Sequence, residues 1–257
     1  LKHWYTRDKA LMKSVLKRIA SEGPLMARDF EGRSKKPGDW SPKPAKRALE
    51  CLFMQGELMV SERRSFHKVY DLTERVLPAS IDTSVPGTQD YARFLVTRYL
   101  TANGLGQTAE MAYLLKNTRA IVQQGVNDML ASGELVQVRV RLDDYYALPE
   151  SLSLLNKTLP RSKLKILSPF DNLLIQRQRM RALFNYNYQI ECYLPESKRQ
   201  YGYFSLPLLW DGRLVARMDC TADKKTGLLN IHHLALEPGL GKKEAFLAAL
   251  DGIGTAR

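Results

Sequence analysis

The chain has 257 residues, 44% of them hydrophobic and 26% charged, which are proportions of a soluble globular protein with room for two or three small domains. No apolar run approaches the roughly 20 residues of a membrane span. The start, LKHWYTRDK, lacks the apolar core and cleavage site of a secretory signal. Lys and Arg number 39 against 27 Asp and Glu, a formal net charge of +12. That balance favours a polyanionic partner, because each phosphate neutralised releases condensed counterions.

Asp8 to Glu22 reads as a helix, with Leu11, Val15 and Ile19 on one face and Gly23-Pro24 as its stop. Leu25 to Phe30 is a short second helix or turn, and EGRSKKPGDWSPKP is a loop by its Gly, Pro and Lys content. A third helix starts near Pro44, carrying Ala45, Ala48, Leu49, Leu52 and Phe53 at one-face spacing, and ends at Gln55-Gly56. Two β-prone runs follow, Glu57 to Ser61 and Phe66 to Leu72, around the charged Glu62-Arg63-Arg64-Ser65. A helix running straight into a small basic hairpin is the pattern of a winged helix.

The chain repeats it. Tyr91, Phe94, Leu95 and Tyr99 mark a helix ended by Asn103-Gly104, and Gln107 to Lys116 gives a second. Val122, Val126, Met129 and Leu130 mark a third, which again ends at Gly-Glu-Leu and leads into a hairpin closing at Leu148. Gly56 and Gly133 hold equivalent places, 77 residues apart (133 − 56). Repetition at a domain-sized period means two copies of one folding unit. From Lys165 the texture changes: Phe170 to Phe184 can form a helix, and β-prone runs cover 188–194, 200–209, 213–220 and 227–236. The expected fold is α+β, with winged helices at 1–77 and 90–155 and a linker at 78–89. A second linker at 156–164 precedes a C-terminal antiparallel β-barrel-like domain at 165–257, incomplete at its end.

The two copies differ in charge. The first places Lys43, Lys46 and Arg47 at the start of its third helix and Arg63, Arg64 and Lys68 on its wing, the places where a winged helix meets DNA. The second offers Arg119 on its helix and mixes Arg139 and Arg141 with Asp143 and Asp144 on its hairpin. Copy one is therefore expected to touch phosphate, against the plainer reading of a solvated surface, and copy two to shape the protein. Trp40, Tyr201, Tyr203 and Phe204 interleave with Lys198, Arg199 and Arg213, which suits backbone contact and stacking as well as an ordinary half-buried strand.

No P-loop, GxSxG, HExxH or GxGxxG is present. His232 and His233 are adjacent in a β-prone run and expected on opposite faces, poor geometry for a shared metal. Cys51, Cys192 and Cys220 form no CxxC pair and read as buried, reduced thiols. No metal and no cofactor is expected.

LSPFDNL, ALFNYNYQIECYLPESKRQYGYFSLPLLWDGRLVARMD, GDWSPKPAKRALECLF and ERRSFHKVYDLTERVLP together resemble the AlkZ/YcaQ-type winged-helix DNA glycosylases, from about Ala20 to the end. The resemblance implies tandem winged helices closed by a β-barrel, and excision of N-alkylated purines, with interstrand crosslinks opened by some members. It implies DNA contact at Trp40, Lys43, Lys46 and Arg47, at Arg63 and Arg64 on the wing, and at Lys198 and Arg199. The family holds its hydrolytic water with a Gln-x-Gln or Gln-x-Asp motif expected upstream of Asp8, so the chain reads as a fragment and no catalytic residue is assigned. Gln176-Arg177-Gln178 matches the letters but not the position, with a charged centre where the motif's is apolar. Asp171 is expected to cap a helix. The expected partner is double-stranded, damaged DNA, bound by a monomer in the cytoplasm beside the nucleoid. A non-catalytic regulator is the alternative, and a protein–protein scaffold leaves the +12 charge unexplained.

Overall fold

The computed structural model describes residues 8–30, 44–223 and 225–252; Trp40, Lys43 and most of the Pro- and Lys-rich loop lie outside them. The chain forms two compact units divided after Val85.

In the first unit, α1 (Lys9–Glu22) buries Met12, Val15 and Ile19. Asp8 caps it, its carboxylate accepting from the Leu11 N–H at 2.9 Å. Where a short second helix or turn was expected, β1 (Leu25–Met26) leads into a 3₁₀ turn over Ala27–Phe30. Then α2 (Pro44–Gln55) lays Ala48, Leu49, Cys51 and Leu52 against the α1 face. Next come β2 (Leu58–Arg64), β3 (His67–Leu72) and a single turn of helix, α3 (Thr73–Val76). The sheet is antiparallel in the order β1-β3-β2. Pairing of Met26 with Val69 brings the 3₁₀ turn beside the hairpin.

The second unit opens with the same sequence of elements. They are α4 (Thr88–Asn103), β4 (Leu105–Gly106), α5 (Thr108–Met111), α6 (Arg119–Ala131), β5 (Val136–Val140) and β6 (Asp143–Ala147), with sheet order β4-β6-β5. The two glycines end their helices alike. Gly56 and Gly133 have φ of 82° and 76°, and the next N–H reaches back to Leu52 and Met129 respectively. A glycine is needed because the closing residue is left-handed. The expected helix over Gln107–Lys116 shrinks to one turn, with Leu114 and Asn117 at positive φ.

The remainder holds β7 (Lys165–Ile166), α7 (Arg177–Phe184), β8 (Leu206–Trp210), β9 (Arg213–Ala222), β10 (Leu229–Leu236) and α8 (Lys243–Asp251). The four strands make one antiparallel sheet, β10-β9-β8-β7, whose outer strands pair with no further strand among the described residues. Among the described residues the barrel-like domain expected here is an antiparallel sheet with no closed barrel. The reason lies in the expected strands at 188–194 and 200–209: the first is not formed, the second begins only at Leu206, and between them lies a 3₁₀ turn over Glu196–Lys198. Glu191 takes the backbone N–H groups of Gln200 and Tyr201 at 2.8 and 2.7 Å. Asp219 takes those of Tyr203 and Phe204. Donors that a strand would give to a neighbouring carbonyl are satisfied by carboxylates instead, so no ladder extends there. Asp171 likewise caps a turn rather than a helix, accepting from the Leu173 N–H, and α7 starts six residues later.

Candidate nucleic-acid interface

Between the 3₁₀ turn, the first turns of α2 and the hairpin runs a groove of about 500 Å³, lined by Arg28, Lys46, Arg63, His67 and Lys68, with Glu50 the one carboxylate among the described residues that line it. These side chains arrive by different routes. Lys46 is exposed on α2, one helical turn before Glu50. Arg63 and Lys68 are opposed residues of the β2–β3 ladder. The Lys68 ammonium lies 5.1 Å from the centre of the Phe53 ring, which props it toward the groove. Arg28 is carried in by β1, and no periodicity in its own segment foretold a place beside residues so distant in sequence. Tyr70, beneath, is buried; that burial and, second, the nearby Glu50 push its phenol up, so it stays a neutral wall.

The other expected contacts are placed differently. Arg64 is exposed but tied to Glu62 through two guanidinium nitrogens, the Nε bond at 2.8 Å. Arg47 is half-buried. Lys198 and Arg199 belong to the second unit. There Lys198 is exposed, whereas Arg199 donates to the Leu194 carbonyl and stacks 4.9 Å from the centre of the Tyr203 ring. The groove thus gathers Lys46, Arg63 and Lys68 and adds Arg28 and His67, while Arg47 and Arg64 do not line it.

The second unit holds a wider cleft of about 940 Å³, presenting Arg181, Asn185, Asn187, Gln189, Gln200 and Arg213. Its buried Arg217 is held between the Tyr186 and Tyr201 rings, 4.8 and 4.1 Å from their centres, and donates to Glu237. Both carboxylates on its wall, Glu191 and Glu237, are engaged in hydrogen bonds. Such a surface offers hydrogen-bond donors to a polar ligand and no unengaged carboxylate as a base.

Among the described residues, no three His, Cys, Asp or Glu side chains gather as a metal site. His232 is the extra residue of a β-bulge opposite Asp219 and Cys220, so strand alternation does not fix its side, and both histidines are exposed. Cys51 is buried, Cys192 and Cys220 are half-buried, and none forms a disulfide.

A family model described as DNA glycosylase AlkZ-like matches residues 2–255. The chain belongs to the AlkZ-like DNA glycosylase family. Among solved structures, the Streptomyces sahachiroi DNA glycosylase AlkZ is similar, with a TM-score of 0.57 at 18% identity over 93% of this chain. The chain spans about 64% of that relative's length. At this identity the likeness is one of fold: helices with antiparallel sheets. No helix among the described residues is long and apolar enough to cross a membrane.

Within this AlkZ-like chain, Gln176 of the Gln176-Arg177-Gln178 run is held by a contact inside the second unit. The Gln176 amide donates to the Glu110 carbonyl at 3.1 Å. Arg179, one residue beyond, donates to the Glu110 carboxylate at 2.7 Å, both side chains buried. The same carboxylate receives the Gln107 N–H and the Tyr99 hydroxyl. Gln178 is exposed.

Proposed function

We propose that this chain is the DNA-gripping body of a repair glycosylase that hydrolyses the N-glycosidic bond of alkylated purines, those in interstrand crosslinks included. The observation that carries the reading is the cationic groove of the first unit, on a chain of the AlkZ-like DNA glycosylase family. In this reading the two helix-and-hairpin repeats are tandem winged helices, at 1–77 and 90–155, with linkers at 78–89 and 156–164 and an open-sheet domain at 165–257. Double-stranded damaged DNA is the partner of a monomer working beside the nucleoid. Lys46, Arg63, Arg64 and Lys68 hold phosphates, with Trp40, Lys43, Arg47, Lys198 and Arg199 as further contacts.

The chemistry asks little of these residues beyond position. Alkylation at purine N7 or N3 places a positive charge on the base, which then leaves as a neutral group. The remaining barrier is lowered by stabilising the oxocarbenium-like sugar and orienting a water. Cations at the phosphates hold the duplex still for that step.

A second reading, a winged-helix regulator without catalysis, is favoured by the engagement of Gln176 with Glu110. Base release from duplex DNA carrying N7-methylguanine separates the two, assayed on this chain and on one extended upstream to include a Gln-x-Gln or Gln-x-Asp. Release by the longer chain alone is the expected result. Release by the short chain would return Gln176 or Gln178 to the chemistry. Duplex binding without release by either would make the regulator the better reading, and absence of binding would remove both.

A further inference from the structure

The β2–β3 ladder ends at the Arg64–His67 pair, so Ser65 and Phe66 alone make the turn. Both have positive φ, 47° and 68°. Two left-handed residues in a two-residue hairpin define a type I′ turn, whose sequence is normally Asn-Gly or Asp-Gly because a side chain at the second place crowds the backbone. Phenylalanine is among the residues least suited to it. Folding gives no compensation, since Phe66 is 94% exposed, more than any other large hydrophobic among the described residues. A strained backbone and an unburied ring at one residue point to a use outside the fold.

The surroundings name the partner. Arg63 and Arg64 precede the ring, and His67 and Lys68 follow it. The Arg63 guanidinium donates to the Phe66 carbonyl at 3.3 Å, bracing the tip. The equivalent tip in the second unit is a control within the molecule. Leu142 there is 91% exposed, but its flank is mixed: Arg141 precedes it, Asp143 and Asp144 follow it, and Asp144 holds Arg139 in an ion pair, which leaves little net positive charge for a phosphate backbone. Exposure is shared by both tips; positive φ at the apolar residue belongs to the first, as does a flank in which Arg63, Arg64 and Lys68 outnumber the one nearby carboxylate, Glu62.

We propose that Phe66 is an apolar wedge that enters a base step of duplex DNA while the flanking cations hold the phosphates. The proposal rests on the DNA-gripping reading and adds a deformation of the duplex to it. A ring inserted between bases replaces part of the stacking it disrupts, so the step opens at reduced cost.

The test uses the full chain and duplexes with a single 2-aminopurine at successive positions, whose fluorescence rises on unstacking. The wild-type chain is expected to raise the signal at one step. Phe66→Ala should abolish that rise and weaken binding about tenfold, with the salt slope unchanged because phenylalanine neutralises no phosphate. Phe66→Gly should lose binding equally while its thermal midpoint rises, since glycine relieves the turn; this separates lost contact from lost folding. Phe66→Trp should retain the signal, and Leu142→Ala should leave it untouched. Wild-type affinity and fluorescence in Phe66→Ala would overturn the wedge and leave the DNA reading intact. Absence of duplex binding by the wild-type chain would instead overturn that reading, and the wedge with it.

Discussion

At the scale of single residues, neighbours decide what a charge can do. Arg63 and Arg64 are adjacent and equally basic, yet Arg64 is tied to Glu62 whereas Arg63 touches a carbonyl. Moving Arg64 to a phosphate means giving up a surface ion pair, worth under about 1 kcal/mol, so either can bind, but Arg63 gives up only a hydrogen bond to a carbonyl. Arg63→Ala is expected to flatten the dependence of duplex affinity on log salt by about one unit, and Arg64→Ala by less. A titration at several salt concentrations measures both, and an unchanged slope in the double variant would take the hairpin out of the interface. Glu110 is the opposite case, a carboxylate whose charge is spent inside the fold on Arg179, Gln107 and Tyr99. Removing one member of a buried pair leaves the other uncompensated, which costs about 3–5 kcal/mol. Glu110→Gln should lower the urea midpoint accordingly, and Glu110→Gln combined with Arg179→Met should recover part of the loss. Independent, additive losses would show that the pair is not coupled.

Among the elements, α4 and α6 meet at their smallest residues. A Cβ placed on Gly125 would stand 2.9 Å from the Ala92 Cβ and 3.4 Å from the Ala92 carbonyl carbon. Alanine in a helix is worth about 1 kcal/mol over glycine. Overpacking against a neighbour that includes backbone costs about 1–3 kcal/mol, and it should win. Gly125→Ala is thus expected to lower the thermal midpoint, with Ala92→Gly restoring it in the double variant. A rise in the single variant would mean that the helices separate freely. The same scale explains which expectations held. Helices with an apolar face and a glycine stop, such as Pro44–Gln55 and Arg119–Ala131, were legible because face and stop are both local. Residues 188–194 were misread as a strand because their β-prone composition says nothing about Glu191 reaching Gln200 and Tyr201. The groove was half legible: Lys46, Arg63 and Lys68 sit on recognisable elements, but Arg28 reaches them only through the β1–β3 pairing.

For the molecule as a whole, buried phenols set an alkaline limit to stability. Burial pushes the Tyr99 and Tyr188 hydroxyls up from 10.0 to about 12, and raises Tyr186 as well. Raised folded-state values favour the neutral phenol in the native protein. The stability they contribute is complete below about pH 10, where unfolded tyrosine is protonated, and is lost as pH climbs toward about 12. The urea midpoint is expected to fall across that window. Tyr99→Phe with Tyr188→Phe should show a shallower fall, and identical pH profiles would exclude these groups as the cause.

The amino-acid sequence by itself determined the repeat, the glycine stops at Gly56 and Gly133 and the basic character of the first hairpin. Each follows from residues close together in the chain, through periodicity, glycine at a left-handed position and net charge. Only the tertiary structure decided that the C-terminal sheet stays open, that Gln176 is bound up with Glu110, and that Arg28 joins the groove. The physical reason is common to all three. A backbone donor, a buried amide or a cation takes whichever partner folding brings within hydrogen-bond or Coulomb range, and for these residues the partner comes from a distant part of the chain or from a carboxylate that local pattern does not reveal.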